Sequence, residues 1–187
     1  MFSIRQLGKI YNKCYYTCHR SSWAEKLTDS ILLVSPYRVR VKYNRRNRMT
    51  ERQWQNLFDV CSVIAENENR FEMRSFHNHL RSCGTTHCIA GWAVATETNN
   101  PDVYYVDDSY KQLGEKYDLG YMPGTPVVAE AILSEYITPF FYLTQPGSEN
   151  ILMQEFILPV ISEGQKDGLV VSPHVQEMID NIKANQS

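Results

Sequence analysis

The residues best equipped for chemistry in this chain crowd into one stretch, FHNHLRSCGTTHCIAGWAVAT, which sets His77, His79, Cys83, His87 and Cys88 within twelve positions. Thiols and imidazoles at this density serve three ends. As structure, Cys83 and Cys88 are small buried groups around a tight turn at Gly84. Thr85 or Thr86 then caps the following helix, and the histidines are surface or hydrogen-bonding groups. As a metal centre, thiolate and imidazole suit a tetrahedral zinc ion. The spacing H-x-H-x3-C-x3-H-C is not that of a zinc finger, however, and adjacent His87 and Cys88 share one ion only with awkward geometry. As a reaction centre, Cys88 opens a helix whose N-terminal dipole favours thiolate. His77, His79 or the distant His174 would be the base, oriented by Asp107, Asp108 or an Asn. Cys83 and Cys88 lack the two-residue gap of a thioredoxin-like redox pair. The structural reading needs no partner and is the leading expectation. No cofactor is expected, and structural zinc is the alternative.

These residues need elements to hold them. Cys88 to Thr96 is apolar nearly all round and predicts a buried helix, in which Ala90, Gly91, Ala93 and Ala95 permit close packing and Trp92 supplies bulk. Gly91 weakens a helix, so its presence predicts a close neighbour or a bend. Upstream, Thr50 and Gln53 have the spacing of a capping box, and Trp54, Leu57, Phe58, Cys61, Ile64 and Ala65 form an apolar stripe behind it. That helix fades in ENENR, after which Phe71, Met73 and Phe76 return the chain to the core. Downstream, a short YYV strand precedes a helix over Ser109–Tyr117. Pro126 suits a helix start, with Val128, Ala131, Ile132, Tyr136 and Ile137 as its buried face and Pro139 as its end. Tyr136, Phe140 and Phe141 belong to an aromatic anchor running to Leu143. Residues 149–161 suggest a helix interrupted at Pro159. A last helix opens at Ser172 and Pro173, with Val175, Met178, Ile179 and Ile182 on one face.

The charge is divided. Residues 1–48 hold eleven Lys or Arg against two acids, a local +9, whereas the remainder carries −11 and the whole chain −2. Within the basic part, Val39, Val41 and Tyr43 alternate with Arg38, Arg40 and Lys42 as in a strand, and Pro36 marks it as two short strands or an edge. With Arg45 and Arg46 these cations suit phosphate, and tyrosines beside them suit bases. A charged edge strand resisting aggregation, or pairing with the chain's own acidic body, explains the same pattern. The expected organisation is a basic N-terminal region over 1–48, separate or part of the main domain, and a helical domain over 49–187. The fold class expected is mainly α, or α+β.

The segment CGTTHCIAGWAVAT resembles a recurring CGTxxCxAGWA segment of uncharacterised bacterial and phage proteins, carried here by Cys83, Gly84, Thr85, Cys88, Ala90, Gly91 and Trp92. The resemblance extends loosely over residues 67–143, through Arg70, Phe71, Met73, Phe76 and Leu113–Gly120. It implies a bacterial or phage setting and no particular activity, and its pattern does not require His87.

Phosphate-loop, dinucleotide, HExxH, GxSxG and kinase signatures are absent, which disfavours those enzyme classes. No apolar run reaches membrane-spanning length and no secretory leader is evident. Five cysteines, an odd number, fit a reduced interior, so a cytoplasmic or host intracellular location is expected. The leading functional expectation is an accessory or regulatory protein that binds a protein, including a host protein, with no membrane partner. The alternatives are a thiol-dependent hydrolase or transferase centred on Cys88 and a basic nucleic-acid-binding regulator.

Overall fold

Thr50 starts the first helix by reciprocal capping: its hydroxyl accepts the Gln53 amide at 3.1 Å while Gln53 Oε1 accepts the Thr50 amide at 3.0 Å. The structure is a computed structural model and describes residues 49–80, 84–104, 108–143 and 147–185. The basic segment with Arg38, Arg40, Lys42, Arg45 and Arg46, the strands expected at 31–43, and Cys83 and Asp107 lie outside the described residues.

Helix α1 (Glu51–Glu66) is the axis of the core. Every residue from Leu57 to Ile64 is buried, not only the expected stripe, because helices pack around its whole circumference. Around it stand α2 (Ile89–Thr98), α4 (Thr125–Leu133), α6 (Leu158–Lys166) and α7 (Pro173–Ala184), while α3 (Asp108–Tyr117) packs on α4. Helix α5 (Ser148–Leu152) leads through a π-helical turn, Met153–Ile157, straight into α6. The described residues are therefore mainly helical, with one two-stranded sheet. None of the described helices is long and apolar enough to cross a membrane.

That sheet was not foreseen. β1 (His77–Leu80) and β2 (Gly84–His87) pair antiparallel, with His77 opposite His87 and His79 opposite Thr85. Thr85 and Thr86 are thus strand residues and do not cap α2; Cys88 takes the N-cap position, with no side-chain cap bond. Three other expectations shift. The helix from Thr125 stops at Leu133, because Ser134 adopts φ 141°, outside any helix, and a 3-10 stretch with Pro139 inside follows over Glu135–Tyr142. The helix expected to break at Pro159 continues to Lys166, since the π turn just upstream alters the hydrogen-bond frame before proline enters it. Tyr104 is not in a strand, and 105–107 lie outside the described residues.

The expected close neighbour of Gly91 is the Phe76 backbone. A Cβ at position 91 would sit 1.9 Å from the Phe76 carbonyl oxygen and 3.0 Å from His87 Cβ. Helix α2 is thereby pressed against the strand pair, and only glycine permits it. Gly91→Ala should lower the urea unfolding free energy by at least about 2 kcal/mol despite alanine's better helix propensity, because backbone must move. An unchanged or raised urea midpoint would contradict this packing.

Candidate functional site

The hairpin register brings His77 and His87 face to face. Their Nδ1 atoms lie 2.7 Å apart, with the rings edge-on at 86°. His87 Nε2 is 2.9 Å from the Pro101 carbonyl oxygen, which only accepts, so that nitrogen carries the proton. A neutral His87 then offers Nδ1 as an acceptor, and His77 Nδ1–H donates to it. His77 Nε2 is left as an acceptor for the Tyr110 hydroxyl at 2.5 Å, and Tyr110 in turn accepts from Thr125 Oγ1 at 2.8 Å. One carbonyl thus sets the polarity of a chain running Thr125, Tyr110, His77, His87, Pro101. It links α4, α3, both strands and the turn after α2.

Arg70 anchors the far end. Its Nη2 donates to the Pro101 carbonyl and to Asp102 Oδ1, both at 2.6 Å, and its Nε donates to the Thr85 carbonyl at 2.9 Å. Asp102 Oδ1 also accepts the Thr85 amide at 3.0 Å. Arg70 is 4 % exposed, and its guanidinium carbon lies 5.7 Å from the Trp92 ring centroid, with the His87 ring edge-on to the same indole. A buried cation is tolerated here because a carboxylate and two carbonyls share its donors. Burial pushes the Asp102 carboxyl upward, but the Thr85 amide and the Arg70 charge outweigh it and hold it below the ordinary value.

The titrating groups of this chain are held uncharged. Burial, then the facing His87, lowers His77 to about 3. Burial also lowers His87 to about 4, aided by Arg70 and opposed by the Pro101 bond, Asp102 and the Phe76 backbone. Burial pushes the Tyr110 hydroxyl up, against the Thr125 bond. The two imidazoles do not suit a shared metal, since ligand nitrogens on one tetrahedral zinc stand about 3.3 Å apart. Among the described residues, no group of three or more His, Cys, Asp or Glu is placed to hold a metal ion.

Cys88, the expected thiolate, is 1 % exposed. Burial pushes its thiol up to about 11, outweighing the helix amides of Ala90 and Gly91 that favour the anion. His77 opens β1 and is bonded to His87 and Tyr110, His79 also lies in β1, and His174 lies exposed in the first turn of α7. Cys88, His79 and His174 stand at three different elements: the start of α2, β1 and α7. Gly84 opens β2, Thr85 serves Arg70 and Asp102 through its backbone, and Trp92 is fully buried. Of the aromatic anchor, Tyr136 is 39 % exposed, Phe140 stacks on Phe156 with centroids 4.3 Å apart, and Phe141 is a core residue at 1 %. Phe141 is thus corrected from partner surface to packing. No protein-family model, curated protein or solved structure matches the chain.

Sequence reasoning singled out both histidines but missed Tyr110 as the partner of His77, Thr125 behind Tyr110, and Asp102 as the partner of Arg70. A pH dependence follows. Folded imidazoles titrating near 3 and 4 refuse protons that the unfolded chain takes up below its ordinary value of 6.5. Their contribution is full above that value and is lost as pH falls toward 4. Each imidazole should cost roughly 1.4 kcal/mol of stability between neutral pH and pH 5.5. Urea midpoints measured across that interval check this, and a flat profile would contradict it.

Proposed function

We propose that this chain is an accessory or regulatory protein that acts by binding another protein, in a bacterial cytoplasm or, as a phage product, inside an infected host. One observation carries the reading: the side chains suited to covalent chemistry lie inside, while large apolar side chains of one stretch remain outside. Cys88, His77 and His87 are 1 %, 5 % and 0 % exposed. Tyr136, Tyr142 and Leu143 retain 39 %, 55 % and 37 %. Aromatic groups of this kind are frequent anchors of protein interfaces, because they bury much area at little entropic cost. The resemblance of the CGTTHCIAGWA segment to bacterial and phage proteins supports the setting.

The test begins with crosslinking in host cells and identification of the crosslinked partner, followed by affinity measurement with purified components. Tyr136→Ser combined with Tyr142→Ser should leave the protein folded, as read by its cooperative urea transition, and weaken the partner's Kd at least about thirtyfold. Full affinity in the folded double variant would contradict the proposal. So would rapid alkylation of Cys88 in the native protein together with a turnover lost in Cys88→Ala.

A further inference from the structure

Helix α5, the π turn and α6 form one continuous rod over 148–166, and its two faces differ. Leu152, Met153, Phe156, Ile157 and Val160 are buried in the core. The outward face carries Ile151, Glu155, Leu158, Pro159 and Glu163. Ile151 is 60 % exposed and Leu158 41 %, with the exposed Glu155 between them on the same face. A helix whose inner face already fills the core ordinarily keeps such groups off its outer one. The rod is joined to the 135–143 stretch by the stack of Phe140 on Phe156.

The charge along this part of the chain has one sign. Residues 117–165 contain six acids and no Lys, Arg or His. Among the described residues, the same span holds every exposed large apolar side chain except Val170. Glu135 and Glu155 are exposed, and neither has an ion-pair partner among the described residues. At the far end of the rod Glu163 lies 3.8 Å from Lys166. At its start Glu149 accepts the Met73 amide, and the exposed Arg74 follows Met73 in the chain. The middle of the face, from Ile151 to Leu158, therefore carries Glu155 as its one charge.

An apolar face of negative sign repels nucleic acid and anionic lipid alike, and it complements a surface in which cations are interleaved with apolar groups. About three turns of outward helix suit a second helix laid alongside, with apolar side chains against Ile151 and Leu158 and a Lys or Arg at Glu155.

We propose that the outward face of α5 and α6 binds a basic amphipathic helix of a partner protein. The proposal rests on the protein-binding reading and gives that partner its chemistry.

The probe that tests it is a blocked synthetic helix of leucine and lysine in heptad spacing, titrated into the ¹⁵N-labelled full chain at low ionic strength. Saturable shifts should fall on the amides of residues 149–163. A leucine–glutamate helix, and a serine–lysine peptide of the same charge, should each bind at least about tenfold more weakly. Glu155→Lys should weaken the leucine–lysine helix at least about fivefold, and Ile151→Ser combined with Leu158→Ser at least about tenfold, each variant keeping a cooperative urea transition. Absence of saturable shifts, equal affinity for either control peptide, or unchanged affinity in either folded variant would overturn the proposal. So would shifts centred on residues 1–48, which would give the face to the chain's own basic segment, or a dimer that excludes the probe, which would give it to a second copy. Because the probe stands in for the natural partner, this test can fail while Tyr136 and Tyr142 still govern the crosslinked partner, and the two failures are told apart.

Discussion

The carbonyl oxygen of Pro101 accepts from Arg70 and His87 at once, and the centre of the molecule is arranged around that double acceptance. Because a carbonyl cannot donate, the proton of His87 is fixed on Nε2, and each later bond in the chain has one possible direction. A neutral imidazole pair is then self-consistent, with every nitrogen matched to a complementary atom. Adding a proton to either ring places a charge on a group buried away from water. The low dielectric that makes such bonds strong also makes a misplaced charge costly, so the network is both rigid and pH-sensitive.

Packing and polarity reinforce one another here. Gly91 lets α2 approach the Phe76 backbone, which brings Trp92 beneath His87 and Arg70. Arg70 ends a short 3-10 turn after α1, and Thr85 in β2 gives it a carbonyl while giving Asp102 an amide. The strand pair is only four residues on each side, too short to stand alone, and its stability comes from these side-chain ties and from α2 behind it. The cysteine at the start of α2 lies inside this assembly. Its position at a helix N-terminus favours a thiolate in water, but burial dominates.

Much of the helical frame was legible because it is written locally. The Thr50–Gln53 capping box, the Pro126 and Pro173 starts and the Val175–Ile182 stripe all depend on spacings within a turn or two, and the structure realises each. The centre was legible only in its residue types. HNHL and GTTH show no apolar alternation, so nothing announced strands, and the tie from Arg70 to Asp102 spans 32 residues. Phe141 was misread because an aromatic run after a proline looks like a surface anchor, while its register in the 3-10 stretch turns one ring inward and leaves Tyr142 outside.

The central claim is that one backbone carbonyl fixes a neutral, directional histidine pair at the core. Long-range ¹H–¹⁵N correlation of the imidazole rings at neutral pH tests it most directly. The expected spectrum shows His87 with its proton on Nε2 and His77 with its proton on Nδ1, both rings neutral. Reversed tautomers, or an imidazolium at either position, would contradict the claim.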